Sequence, residues 1–320
     1  MARVKKVILA APRGYCAGVD RAVQIVERAL ETCGAPVYVR KEIVHNRYVV
    51  SELEKRGAIF VDSEEEIPSG AVCVFSAHGV SPQVRANAAE RNLQVIDATC
   101  PLVTKVHLEA KKFARGGRRI VLVGHEGHEE IEGTAGEATG DTYVIEDVGQ
   151  IDKLPLATDE PISYLTQTTL SVDDTREVVE ALRGRFTDIS GPHRNDICYA
   201  TQNRQVAVKA IAPEADLVLI VGAVNSSNSN RMVEVAIKAG TPAYLVPDES
   251  YLSTEWLEGV ETVGVSSGAS APEVLVEGLL EKLAEHGYGT VETREVTSED
   301  VTFSLPPWLR DQVGATPEPD

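Results

Sequence analysis

The chain has 320 residues, 43% hydrophobic and 25% charged, and only 5% aromatic, the composition of a folded globular protein of two ordinary or three small domains whose core is mainly Val, Ile, Leu and Ala. A net charge of −18 repels nucleic acid and anionic membranes and argues against both as partners. No apolar run reaches the roughly 20 residues a bilayer span needs, and the opening Met1-Ala-Arg-Val-Lys-Lys is no secretory leader, so a cytoplasmic protein is expected, with five cysteines acting as buried residues, ligands or nucleophiles rather than as disulfides.

Along the chain, apolar runs of strand length alternate with stretches of helical period. Strands are predicted at residues 4–10, 37–44, 71–75, 119–123, 162–166, 217–221, 243–246 and 262–265, with helices such as 19–30, 102–113 and 232–238 between them. This alternation is the pattern of βαβ units and parallel sheets. Residues 291–320 read as an irregular extension. The fold class expected is therefore α/β, with domains at residues 14–100, 101–194 and 195–282, a first strand at 4–13 packing near the third domain, and an extension at 283–320.

An internal repeat underlies the three domains. Arg13-Gly-Tyr-Cys16-Ala-Gly, Asp97-Ala-Thr-Cys100-Pro-Leu and Asp196-Ile-Cys198-Tyr-Ala-Thr each place a cysteine at the opening of an amphipathic helix. Val19, Ala22, Val23, Val26 and Leu30 follow the first cysteine at helical spacing. Leu102, Val103, Val106, Ala110 and Phe113 follow the second, with Pro101 at a favoured first helical position. Val206, Ala207, Ala210 and Ile211 follow the third, before Pro213. Strands ending Phe75-Ser-Ala-His, Val123-Gly-His-Glu-Gly-His and Val221-Gly-Ala-Val-Asn-Ser-Ser-Asn each run into a polar loop. Three such units in pseudo-threefold order would bring loops and cysteines to a common centre.

A cysteine is ordinarily a small buried hydrophobe, and Cys73 and Cys33 are read that way. For Cys16, Cys100 and Cys198 the helix N-terminus offers free N–H groups and positive partial charge that favour a thiolate. Three thiolates suit zinc or an iron–sulfur cluster. The chain contains no Cys-x-x-Cys pair, and a cubane held by three cysteines leaves one iron open to substrate.

His45, His78 and His128 each follow a strand, where α/β sheets place ligand loops. His107, His193 and His286 read as structural, and His125 is left open. Thr168, the run Ser226-Ser-Asn-Ser229 and Ser270 are natural helix caps, and cap geometry also suits phosphate. Glu126, Glu129, Glu130 and Glu132 crowd one loop. At least three are expected to be solvated, and spacing does not say which one would donate a proton.

Taken together, Arg13-Gly-Tyr-Cys-Ala-Gly-Val, Ser76-Ala-His-Gly-Val-Ser, Asp97-Ala-Thr-Cys-Pro, Gly124-His-Glu-Gly-His, Thr166-Gln-Thr-Thr-Leu-Ser-Val and Asn225-Ser-Ser-Asn-Ser-Asn-Arg resemble the 4-hydroxy-3-methylbut-2-enyl diphosphate reductases of the non-mevalonate isoprenoid pathway. The resemblance runs in order from about residue 5 to 285. It implies a trefoil of three α/β domains around a [4Fe–4S] cluster on Cys16, Cys100 and Cys198, which in crystals can be found as [3Fe–4S] or lost. It further implies that His45, His78, Ser226, Asn228 and Ser270, with Ser227 nearby, hold the substrate diphosphate. His128 and Thr168 would lie at the substrate hydroxyl, and Glu130 would supply the proton. Reductive dehydroxylation to isopentenyl and dimethylallyl diphosphate would draw electrons from a ferredoxin or flavodoxin. Lys111, Lys112, Arg115, Arg118 and Arg119 form the densest basic cluster, a docking patch for that donor or a solvated helix end. Glu129 departs from the family pattern, where Pro often precedes the catalytic Glu, and Ala223-Val224 is less polar than expected. Other readings of the same cysteines are a cluster-dependent hydro-lyase without net redox, a non-catalytic iron–sulfur redox sensor, or a zinc hydrolase.

Overall fold

In the computed structural model, which describes residues 5–138 and 140–310, all strand pairing is parallel and falls into three sheets. The chain divides into two units that do not follow chain order. One comprises residues 1–16, 168–177 and 197–300, and the other 17–167, 178–196 and 301–320.

In chain order the elements are β1 (Lys6–Ala11), α1 (Ala17–Cys33), β2 (Val37–Arg40), α2 (Arg47–Lys55), β3 (Ala58–Val61), β4 (Val72–Phe75), α3 (Pro82–Glu90), β5 (Gln94–Asp97), α4 (Pro101–Arg115), β6 (Arg119–Val123), α5 (Glu129–Glu137), β7 (Thr142–Ile145), β8 (Ile162–Thr166), α6 (Val172–Arg185) and β9 (Ile189–Ser190). They continue with α7 (Tyr199–Ile211), β10 (Leu217–Val221), α8 (Ser227–Lys238), β11 (Ala243–Val246), β12 (Thr262–Ser267), α9 (Glu273–Glu285), β13 (Thr290–Glu295) and α10 (Pro307–Arg310).

The first unit holds a five-stranded sheet in the order β11-β10-β12-β1-β13. Its central strands are covered on both faces, which accounts for the unbroken run Leu217-Val-Leu-Ile-Val. Leu217, Leu219 and Val221 pack with Val263, Val276, Leu279 and Leu283 on one side, and Val218 and Ile220 pack with Val208, Met232 and Val235 on the other. The second unit holds two four-stranded sheets, β3-β2-β4-β5 and β7-β6-β8-β9. Cys73 and Phe75 anchor the core of one, and Ile120, Leu122 and Leu165 that of the other, the latter closed by Val106 and Ile131.

Several expectations are corrected. Residues 291–295 are not irregular: they lie in β13, which pairs with β1 over six residues. Its six residues are all exposed, so no hydrophobic run announces it. The first strand begins at Lys6; the expected start at residue 4 and the extension beyond 310 lie outside the described residues. β2 stops at Arg40, because Lys41 takes a left-handed backbone (φ 60), and Ile43 and Val44 are buried from a loop instead. In α7, Val206 is exposed; Ala200, Ala207, Val208 and Ile211 form the buried face together with Arg204. Cys33 is exposed, whereas Cys73 is buried as expected.

Candidate active site

Each unit gathers its own set of the residues singled out above. In the second unit, the loops after β2, β4 and β6 bring three histidines together. The His45 and His78 rings stack at 4.0 Å between centroids, and His128 stands edge-on to them at 5.3 and 5.7 Å. His45 Nδ1 lies 3.2 Å from Glu42 Oε2, and His78 Nδ1 lies 3.1 Å from Glu129 Oε2. An ionised carboxylate can only accept, so in both rings Nδ1–H donates. Glu129 also accepts from Ser76 Oγ at 3.2 Å. Burial pushes the Glu129 carboxyl up, yet the bonds from His78 and Ser76 and the nearby His78 and His45 rings outweigh it and hold the group below the usual carboxylate range.

His128 differs. It caps α5, its Nδ1 accepting from the Glu130 backbone N–H at 3.1 Å. Nδ1 is thereby an acceptor, so the ring is neutral with its proton on Nε2. Burial, reinforced by His78 and His45, lowers its pKa to about 3. A neutral imidazole with a fixed Nε2–H is a hydrogen-bond donor at any physiological pH. Because an unfolded histidine titrates at 6.5, the unfolded chain binds more protons here, and this contribution to stability is lost as pH falls from 6.5 toward 3. Urea unfolding at pH 7, 6 and 5 should show that loss, by up to about 1.4 kcal/mol per pH unit. His128→Asn keeps a capping acceptor and should flatten the profile; an unchanged profile would contradict the assignment.

The glutamate loop corrects another expectation. Only Glu126 and Glu132 are exposed; Glu129 is half-buried and Glu130 is 2% exposed. Glu130 sits in the first turn of α5, where the helix dipole favours a carboxylate. Behind it, His107 is buried in α4 between Gly79 and Gly133, and a Cβ at Gly79 (φ +82) would lie 2.9 Å from its Cε1. His107 is thus packed tightly between these two glycines. His125 donates to Gln167 Oε1, in part through its backbone N–H, and orders the start of the same loop. Cys100 caps α4, and its N–H donates to the carbonyl of Ala77, next to His78, at 3.0 Å.

In the first unit a chain of hydrogen bonds links the remaining residues. The Cys16 N–H donates to Ala269 O at 3.3 Å, beside Ser270. The Cys198 N–H donates to Thr168 O at 3.0 Å, and Ser227 Oγ donates to Thr169 O at 3.3 Å. Ser226 caps α8, accepting from the Ser229 N–H at 3.4 Å and its hydroxyl at 3.0 Å. A Cβ at Gly268 would overlap Ser229 Oγ, so glycine there lets the Ser270 loop close on α8. Asn228 is buried with Oδ1 unsatisfied, an acceptor available to a bound ligand. Arg204, fully buried in α7, donates to Gly14 O at 2.6 and 3.1 Å, Tyr15 O at 3.3 Å, Ala200 O at 3.0 Å and Glu299 Oε1 at 3.0 Å. It ties the Cys16 loop to the Cys198 helix.

Cys16, Cys100 and Cys198 are half-buried and each at a helix N-terminus. That placement fits thiolate ligation of soft metals. Among the described residues no group of three or more His, Cys, Asp or Glu side chains is gathered as a metal-holding set, so the fit rests on ligand chemistry and local placement. Cys73 contrasts with them: burial pushes its thiol up to about 12. The basic cluster is largely engaged: Lys111 pairs with Glu137, Arg118 with Asp188, and Arg119 with Glu160 and Asp141. Sequence reasoning missed Glu42, Ser76, Gln167, Arg204 and Glu299, and set Glu129 among the solvated carboxylates. Their side-chain partners include ones at sequence separations from 2 (Ser76 to His78) to 190 (Arg204 to Gly14). A glutamate three residues before His45 and a serine two residues before His78 were signals within local range.

The profile of the LytB protein family matches residues 7–284. A 4-hydroxy-3-methylbut-2-enyl diphosphate reductase of Mycobacterium sp. (strain JLS) is 60% identical over 307 residues, 96% of this chain and 92% of the relative. The reductase of Nocardia farcinica (strain IFM 10152) is 59% identical over 96% of this chain and 91% of its own length. Among solved structures, the E-1-hydroxy-2-methyl-but-2-enyl-4-diphosphate reductase from Plasmodium falciparum superposes with a TM-score of 0.93 at 37% identity, covering 97% of this chain and 98% of that one. With the motif-bearing cysteines at helix starts and the histidine trio beside a buried glutamate, these matches span both units, and the chain belongs to the LytB protein family.

Proposed function

We propose that the chain reduces 4-hydroxy-3-methylbut-2-enyl diphosphate to isopentenyl and dimethylallyl diphosphate. The observation that carries the reading is the cluster of His45, His78 and His128 beside the buried Glu130, in a chain of the LytB family. The net reaction takes up two electrons and two protons, breaks the allylic C–O bond and releases water. Cys16, Cys100 and Cys198 would hold a [4Fe–4S] cluster, which when bound supplies electrons singly and an iron free of protein ligands as a Lewis acid.

The chain's own groups divide the remaining work. His45, His78, Ser226, Ser227, Asn228 and Ser270 bind the diphosphate, a role favoured by helix N-termini at Ser226 and by imidazole donors in an acidic protein. His128, neutral with Nε2–H, and Thr168 orient the hydroxyl. Glu130 delivers the proton that leaves with the oxygen. A one-electron donor of ferredoxin or flavodoxin type completes the cycle, in the cytoplasm. No helix among the described residues is long and apolar enough to cross a membrane.

Anaerobically purified protein should carry about four irons per chain and convert the allylic diphosphate only when a reductant is supplied. Turnover without reductant would favour the hydro-lyase reading. A well-folded protein with a cluster indifferent to the diphosphate would favour a sensor, and colourless protein containing zinc a hydrolase.

A further inference from the structure

Two stacked imidazoles facing a polyanion raise a charge problem. Rings 4.0 Å apart repel one another when both are protonated, yet both must donate from Nε2 to hold a diphosphate tightly. Here each ring has its own carboxylate on Nδ1: Glu42 for His45 and Glu129 for His78. The two dyads lie side by side, with His128 edge-on to both. Glu129 is held twice, by His78 and by Ser76, and its side chain is 17% exposed, so solvent does little to screen it.

We propose that Glu129 is a positioning residue for the diphosphate: it supplies the counter-charge that lets His78 carry a second proton alongside His45 when the anion binds. The inference rests on the proposed reductase reading. With Nδ1–H fixed on Glu129, the ring cannot rotate Nε2 away from the ligand, and a proton gained at Nε2 is balanced by the carboxylate. Without Glu129 the two rings share only Glu42, and one remains neutral. That ring then offers phosphate at most a neutral hydrogen bond and no positive charge, a weaker contact than an imidazolium makes.

The fold permits a clean test. Glu129 is the first residue of α5, and the preceding His128 already has φ −73 and ψ 135, the extended conformation that a following proline requires. Glu129→Pro therefore keeps the helix start and removes only the carboxylate, while Glu129→Gln keeps an acceptor for Nδ1–H and removes only the charge. Steady-state kinetics of the holoenzyme with reductant, and anaerobic calorimetry with inorganic pyrophosphate in buffers of different ionisation enthalpy, read the effect. For both variants, KM and the pyrophosphate Kd should rise about tenfold or more, with kcat within about threefold and fewer protons taken up on binding. Wild-type values for KM, Kd and proton uptake in Glu129→Pro would overturn the inference, as would full recovery by Glu129→Gln. Failure of the wild-type enzyme to reduce the allylic diphosphate would overturn the functional reading instead, and with it this one.

Discussion

Replacing Glu130 by Gln should lower kcat by about 10²–10⁴-fold while leaving KM nearly unchanged, the signature of a proton donor used in the reaction rather than in binding. Gln matches the shape of Glu, so the buried position is refilled, and the Glu130 N–H that caps onto His128 Nδ1 is untouched. No neighbour can substitute readily. Glu126 and Glu132 are exposed, and Glu129 is engaged by Ser76 and His78. Single-turnover product analysis with pre-reduced enzyme separates this step from electron delivery. A Glu130→Gln enzyme retaining more than about a tenth of wild-type kcat, below any general-acid effect of ordinary size, would remove Glu130 from the role.

The second large effect is on stability. Glu299→Ala should destabilise the protein by about 3 kcal/mol, toward the lower end for breaking a buried ion pair because Glu299 keeps some exposure. The guanidinium of Arg204 has no exposed surface and would be left uncompensated, while Asn203 Nδ2 would lose its acceptor as well. Arg204→Met with Glu299→Ala should cost less than the sum of the two single changes, because it removes the stranded charge. Equilibrium urea unfolding measures the cycle. The same Arg204 holds the carbonyls of Gly14 and Tyr15, so the cluster-free Arg204→Met protein should show faster alkylation of Cys16 with Cys73 unchanged. Additive energies and an unaltered Cys16 would mean that the pair is not the clasp of that loop.

The candidate site was legible to the extent that its groups sit in contiguous motifs. Cys16, Cys100 and Cys198 each begin a helix, a local feature that periodicity and Pro101 reveal. The histidines follow strands, but their meeting in one unit is decided by how three separate loops pack. The four clustered glutamates look alike in sequence. The capped turn of α5 buries one, turns one onto Ser76 and His78, and leaves two in water.

The strands divide in the same way. Every strand missed in the sequence, β3, β5, β7, β9 and β13, lies at the edge of its sheet. An edge strand is paired on one side only and has less to bury, so its residues can be polar, as Thr290-Val-Glu-Thr-Arg-Glu is. The interior strands are covered on both faces and are richer in apolar residues, which is why β6, β8 and β10 were found with their observed bounds, as was the short apolar edge strand β11. By itself, then, the sequence determined the α/β class, the central strands and the helix-opening cysteines, because burial on both faces and helix initiation are local demands on residue type. Only the tertiary structure decided the edge strands, the fate of each glutamate and the clasp from Arg204 to Gly14 and Glu299, because each depends on partners that distant segments bring to it.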